Sequence, residues 1–96
     1  MRLRFTAYAR EQIAGIYDYI SGRSPVAATQ VVARIRLAAA RLPEFPRMGR
    51  AGLAAGTHEW VVRGLPYIIV CEIGKTDADE LLILGVFHAA QDRDPE

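Results

Sequence analysis

Residues 21–25, Ser-Gly-Arg-Ser-Pro, separate two segments whose apolar residues recur at helical spacing. Gly22 suits the left-handed position that ends a helix. Ser24 suits the N-cap of the next helix, and Pro25 suits its first position, where a missing N–H costs nothing. A further proline, Pro43, stops the second segment. The stretch therefore predicts a helical hairpin.

Outside the hairpin, the pattern changes to the short alternating or apolar runs of β-strands. Four such runs occur, at residues 2–5, 57–63, 67–73 and 81–87. Short turns join the last three, which is typical of an antiparallel meander, and a loop rich in Pro and Gly precedes them at 43–56. The sequence thus predicts a single α+β domain over residues 1–96 of order β-α-α-β-β-β. In it, an N-terminal strand and a helical hairpin pack on one face of an antiparallel sheet. The polar tail at 91–96 is expected to fray.

The last two strands are apolar on both faces. Strict alternation divides the final strand into two sets that point in opposite directions, namely Leu81, Ile83 and Phe87, and Leu82, Leu84 and Val86. Because a helical hairpin covers only one face of a sheet, we expect the other face to form an apolar surface that binds a protein. The alternative is that strand twist and the loop at 43–56 hide this surface.

Composition narrows the class of protein. The chain is 51% hydrophobic and 24% charged, with a net charge of +1, which is typical of a globular protein. Its one cysteine, Cys71, excludes an intrachain disulfide and a thiolate metal cluster. No apolar run reaches the roughly 20 residues of a membrane span, and the N-terminus has no signal-peptide stretch. We therefore expect a cytoplasmic protein without a membrane partner.

The arginines are concentrated in the first half of the chain and the carboxylates in the second. Such a split can mark a nucleic-acid surface. The arginines are spread out, however, and no aromatic residues alternate with them as a base-stacking surface requires. We therefore expect no specific nucleic-acid binding. The simpler interpretation is that Arg10, Arg34, Arg36 and Arg41 solvate the outer faces of the helices.

Five segments of the sequence occur in an order known from one protein family. They are residues 16–20 (IYDYI), 24–28 (SPVAA), 45–50 (FPRMGR), 66–70 (PYIIV) and 86–91 (VFHAAQ). Over residues 2–91 the chain resembles the ParE-type toxins of the RelE/ParE superfamily of toxin–antitoxin systems. That family's fold, a helical hairpin on an antiparallel sheet, agrees with the pattern above. The resemblance implies a cytoplasmic growth inhibitor that a cognate antitoxin holds inactive in a hetero-oligomer. It also implies that DNA gyrase is the target.

The resemblance also implies where the partners bind. In this superfamily the C-terminal segment of the antitoxin wraps the toxin, so it would cover the expected apolar surface. The residues expected to contact the antitoxin are Tyr67, Ile69, Leu82, Leu84 and Val86. The candidate target-binding residues are Arg47 and Arg50, in the loop at 43–56, and His88 near the C-terminus.

RelE-type members of the superfamily share the fold but cut messenger RNA in the ribosome. Cleavage of RNA without a metal requires a base, an acid and a cation that stabilises the developing phosphorane charge. In those ribonucleases an arginine follows the residue that opens the middle strand, and the matching position here is Ile68. Only Arg63 and His88 remain as weak catalytic candidates. The resemblance thus favours a non-enzymatic inhibitor; the alternatives are a ribosome-dependent endoribonuclease and an inactive, toxin-derived binding module.

Other polar residues give no stronger site. His58 and Glu59 are adjacent on a strand and should face opposite ways. No carboxylate lies at metal-binding spacing from the histidines, so we expect no metal and no cofactor. Arg63 is expected to stabilise the turn after its strand or to pair with Glu59. His88, at a strand end, is interpreted more readily as a surface histidine than as a catalyst.

Overall fold

The computed structural model describes residues 1–46, 49–74 and 76–90. Its helices and strands are β1 (Arg2–Phe5), α1 (Ala7–Ser21), α2 (Pro25–Arg41), β2 (Arg50–Ala51), β3 (His58–Val61), β4 (Tyr67–Ile73) and β5 (Glu80–His88), with a 3-10 turn at Leu42–Glu44. The predicted order is confirmed, with the short strand β2 added inside the predicted loop. Arg47 and the tail at 91–96 lie outside the described residues. No helix within the described ranges is long and apolar enough to cross a membrane.

Local capping builds the hairpin between α1 and α2. The Ser24 hydroxyl accepts a hydrogen bond from the Ala27 N–H at 3.2 Å, and Pro25 is the first residue of α2, as predicted. Gly22 follows the end of α1, but it does so in the right-handed region at φ −60°. The expected left-handed conformation is therefore wrong. The chain changes direction instead at Ser24, whose backbone is extended at φ −156°. Helix α2 begins at the next residue.

The sheet has the strand order β1-β5-β4-β3-β2. Strands β2 to β5 pair antiparallel, which confirms the meander. β1 pairs in parallel with β5, from Arg2 opposite Glu80 to Phe5 opposite Ile83, so the sheet is mixed rather than wholly antiparallel. A four-residue alternating run carries no signal for the direction of its partner. Here that partner is the last strand of the chain, reached only after the hairpin and the meander.

The core lies between the hairpin and one face of the sheet. It combines residues of both helices with residues of the two central strands, including Ile13, Ile35, Ala39, Leu42, Ile69, Cys71, Leu81, Ile83 and Val86, each at most 2% exposed. Burial raises the pKa of the Cys71 thiol, since the thiolate would lose its hydration there. Cys71 thus packs as a small apolar side chain.

A β-bulge changes which residues of β5 face the core. Cys71 of β4 pairs with Ile83, but the preceding residue, Val70, pairs with Gly85, so β5 contains one extra residue at this point. The alternation of side chains is therefore reversed beyond the bulge. Val86 is buried on the core face, and Phe87 pairs with a residue of the other face. The facing predicted for Val86 and Phe87 by strict alternation is wrong for this reason.

Candidate functional site

The residues predicted to bind an antitoxin lie on both faces of the sheet. Tyr67, Ile69 and Val86 belong to the core under the helices and are 7%, 0% and 2% exposed. The expectation that these three form an open surface is wrong, because the helices cover the face of β4 opposite to that of Glu72. Leu82 and Leu84 lie half-buried on the opposite face. Their contact with an antitoxin stays a prediction.

The face of the sheet away from the helices, here called the outer face, keeps a smaller apolar surface than the sequence predicts. Val61 of β3 is 50% exposed there, and Leu82 and Leu84 are half-buried. An ion pair between Arg4 and Glu80, 3.5 Å apart, borders this surface on the β1 side. The outer face is therefore open only in part.

Arg50, one of the candidate target-binding residues, neutralises a buried carboxylate. It pairs with Glu59 across β2 and β3, and its Nη2 and Nε atoms donate to Glu59 Oε1 at 3.1 and 3.3 Å. The Glu59 side chain is 4% exposed, whereas that of Arg50 is 63% exposed. Arg50 thus offers an exposed cation to a partner, but its removal would also leave a carboxylate buried without this counter-charge. Arg63 was expected to stabilise the turn or to pair with Glu59; the ion pair that the described residues show for Glu59 is with Arg50.

His88 lies in a groove of about 430 Å³ between α1 and the ends of β4 and β5. Its ring packs edge-on against Tyr67, with ring centroids 5.5 Å apart. Its Nδ1 accepts a hydrogen bond from the Ala90 N–H at 3.1 Å, which leaves the proton of the neutral ring on Nε2. Burial, and to a lesser degree the neighbouring Tyr19, raises the pKa of Tyr67. This phenol therefore stays protonated at neutral pH and can donate a hydrogen bond but cannot serve as a base.

Arg63 lies in a second groove, of about 450 Å³, between α2 and the end of β3. We call it the α2–β3 groove; it is lined by Arg34, Leu37, Ala38, Arg41, Trp60, Val62 and Arg63. Its α2 residues recur at intervals of three and four and so form one stripe along the helix. Leu37 in this stripe is 67% exposed. The groove thus combines guanidinium groups with an accessible apolar floor.

A tight turn after β3 holds Arg63 at the rim of this groove. The Val62 N–H donates to the Tyr67 carbonyl at 2.9 Å, and the turn passes through Gly64 at φ +75°. Nη2 of Arg34 donates to the carbonyl of Arg63. A Cβ atom on Gly64 would lie 3.1 Å from the same Nη2, so both the backbone angle and the close approach favour glycine here. The expected role of Arg63 in the turn is thus carried by its backbone carbonyl, and the residue also lines the groove.

The structure does not bring the two weak catalytic candidates into one site. Arg63 lines the α2–β3 groove, and His88 lines the groove beside α1. The predicted opposite facing of His58 and Glu59 is confirmed, since they pair with consecutive residues of β4. Nδ1 of His58 is buried without a hydrogen-bond partner among the described residues.

The sequence interpretation missed the α2–β3 groove. It treated Arg34 and Arg41 as part of a solvated helix face. The signal that could have revealed the groove is the spacing of Arg34, Leu37, Ala38 and Arg41, which places a large apolar residue between two cations on one stripe. Its position opposite Trp60 depends on tertiary packing, which the spacing does not encode.

Comparison with known proteins identifies the family. Residues 3–93 match the family model described as the ParE toxin of the type II toxin-antitoxin system, parDE. The chain is 40% identical over 90 residues to a Sinorhizobium fredii protein named "Putative toxin Y4kP", covering 94% of this chain and 90% of that one. It is 36% identical over 88 residues to "Toxin RelE2" of Caulobacter vibrioides, covering 91% and 93%.

A solved structure shares the fold. The chromosomal ParDE toxin–antitoxin system from P. aeruginosa superposes with a TM-score of 0.80 at 22% identity, over 92% of this chain and 95% of that chain. The two helices on a five-stranded mixed sheet are therefore the fold seen there. Together with the family match over nearly the whole length, these findings show that the chain is a toxin of the ParE family of type II toxin–antitoxin systems.

Proposed function

We propose that this toxin arrests growth in the cytoplasm by binding DNA gyrase, without catalysing a reaction, and that a cognate antitoxin neutralises it in a hetero-oligomeric complex. The observation that carries the non-enzymatic part is the separation of Arg63 from His88, which line different grooves. A phosphorane formed beside Arg63 would lack the acid or base of His88, and one formed beside His88 would lack the cation of Arg63. Ile68, at the position where RelE-type ribonucleases have an arginine, is apolar and 3% exposed.

A plasmid supercoiling assay with purified gyrase tests this proposal. Titrating the toxin into gyrase and relaxed plasmid should inhibit supercoiling, and adding the purified antitoxin should restore it. A type I topoisomerase on the same plasmid serves as the control for non-specific effects on DNA. Full supercoiling at a large excess of toxin would contradict gyrase as the target.

The target-binding residues need a design that accounts for Glu59. We propose that Arg47, Arg50 and His88 contact the target. Replacing both arginines by alanine should abolish growth arrest and leave antitoxin binding intact. Because Arg50 neutralises Glu59, the informative variant combines Arg47→Ala, Arg50→Ala and Glu59→Gln. Its control is Glu59→Gln alone. If the triple variant still arrests growth, the arginines do not form the target surface.

A ribosome-dependent messenger-RNA nuclease is the second candidate, because one relative at 36% identity is named "Toxin RelE2". In that case Arg63 would supply the cation and His88 the acid or base. His88→Ala alone should then remove toxicity, and transcripts isolated after induction should be cut at codon boundaries. Intact transcripts during growth arrest would exclude this candidate. Absence of growth arrest on expression without antitoxin would favour an inactive, toxin-derived binding module.

A further inference from the structure

The α2–β3 groove carries positive charge that no carboxylate of the described residues neutralises. Three arginines line it, namely Arg34, Arg41 and Arg63. Within residues 1–46, 49–74 and 76–90, the ion pairs involve other arginines, and no carboxylate pairs with these three. Like charges held near one another repel, which a ligand of opposite charge would relieve. The groove is therefore complementary to an anionic partner.

The same groove also offers an apolar surface. Leu37 is 67% exposed, and together with Ala38 and Trp60 it lies between the cations. A large aliphatic side chain on the surface of α2 costs free energy in water that burial under a partner would recover. Phosphate groups alone would leave this surface wet. A ligand that satisfies the whole groove carries carboxylates beside apolar side chains.

These two properties favour a protein segment over a nucleic acid. A groove of about 450 Å³ holds a few side chains, such as those of one helical turn or a short extended segment, rather than a folded surface. Of the described residues, one aromatic side chain, Trp60, lines it, whereas binding of single-stranded nucleic acid uses several stacked aromatic side chains. Aliphatic residues form the rest of its floor.

We propose that the α2–β3 groove binds an acidic segment of the cognate antitoxin. Carboxylates of that segment pair with Arg41 and Arg63, and an apolar side chain between them packs on Leu37 and Trp60. The assignment of this partner rests on the proposed function, in which an antitoxin neutralises the toxin. The location differs from the outer face of the sheet, where the sequence placed the antitoxin.

The test compares two double variants that lose the same charge. Arg41→Ala with Arg63→Ala removes two cations of the groove, and Arg10→Ala with Arg23→Ala removes two cations of the α1 region as the control. Binding of the purified antitoxin is measured by calorimetry at low and at high salt. Each pair at the rim should contribute about threefold, so the groove variant should bind about tenfold more weakly at low salt, with a smaller dependence on salt. The control variant should bind like the wild type.

A second variant and a second ligand make the outcomes decisive. Leu37→Ser should also weaken antitoxin binding without removing a charge, and synthetic peptides that span the antitoxin should bind only where acidic and apolar residues adjoin. Unchanged affinity in both groove variants would overturn the proposal. The proposal would also be overturned if the groove variants kept their affinity for the antitoxin but lost binding to a labelled RNA oligonucleotide or lost self-association.

Growth arrest separates this proposal from the proposed function. The groove variant Leu37→Ser should still arrest growth when expressed alone, and co-expressed antitoxin should no longer rescue the cells. If the wild-type chain does not arrest growth, the proposed function fails while the calorimetric result still decides the groove. If Leu37→Ser loses growth arrest but keeps antitoxin affinity, the groove binds the target and the proposal is wrong.

Discussion

Replacing Arg50 by alanine should destabilise the fold, although the Arg50 side chain is largely exposed. Two nitrogen atoms of its guanidinium group donate to one oxygen of Glu59, at 3.1 and 3.3 Å. Glu59 is 4% exposed, so water cannot replace the lost donors in full. A buried carboxylate that loses its counter-charge costs more free energy than the ion pair contributes in an exposed setting.

The size of the effect follows from the burial of the two partners. A fully buried pair broken on one side costs about 3–5 kcal/mol, and an exposed pair about 0.2–1 kcal/mol. Arg50 is 63% exposed and Glu59 is buried, so we expect roughly 1–2 kcal/mol, between these limits. With a urea m-value of about 1 kcal/mol per molar for a chain of this size, the midpoint should fall by roughly 1–2 M.

Urea unfolding of three variants tests this prediction. Arg50→Ala should lower the midpoint most, and Glu59→Gln should lower it less because the neutral amide is cheaper to bury. The combined variant should lie close to Glu59→Gln alone, since the carboxylate that needs Arg50 is then absent. Equal midpoints for Arg50→Ala and the wild type would refute the reasoning, and simple additivity in the combined variant would show that the two residues do not interact.

Two further substitutions test the bulge and the core. Gly85→Ala should destabilise the fold by about 1–2 kcal/mol, because its Cβ would lie 2.7 Å from the Phe87 ring and 2.8 Å from Gln12 Oε1. The same oxygen accepts a hydrogen bond from the Val86 N–H at 2.8 Å, which the added methyl group would disturb. A thermal midpoint of Gly85→Ala equal to that of the wild type would contradict the predicted destabilisation. Burial raises the pKa of Cys71, so the folded state holds this proton to higher pH than the unfolded state, and the free energy of unfolding should fall as pH rises past about 8.5. Cys71→Ala should remove that part of the slope in urea titrations at several pH values.

The sequence predicted those parts of the fold that depend on neighbouring residues. The Ser24 cap and the position of Pro25 are local, and both are confirmed. The prediction of a left-handed conformation for Gly22 is wrong because this conformation depends on how closely the next helix follows. The parallel pairing of β1 with β5 was also out of reach, since an alternating run of four residues fits either direction.

The candidate site was harder to predict for related reasons. No polar residue lies between Ile83 and Phe87, so the bulge between Ile83 and Gly85 and the burial of Val86 leave no trace in the pattern. The pairing of Arg50 with Glu59 depends on β2, a two-residue strand inside a loop whose sequence has no strand pattern. Both grooves are formed between elements that lie far apart in the sequence.

The sheet separates the α2–β3 groove from the outer face. The α2–β3 groove lies on the side of the helices, where Trp60 faces the core, whereas Val61 lies on the outer face with Leu82 and Leu84. Consecutive residues of β3 thus serve different surfaces. An antitoxin segment held in the groove would leave the outer face accessible, unless the antitoxin also wraps the edge of the sheet. Neutralisation through the groove alone therefore requires that the target contacts the helix side of the toxin, whereas a target bound at the outer face requires an antitoxin that covers both sides.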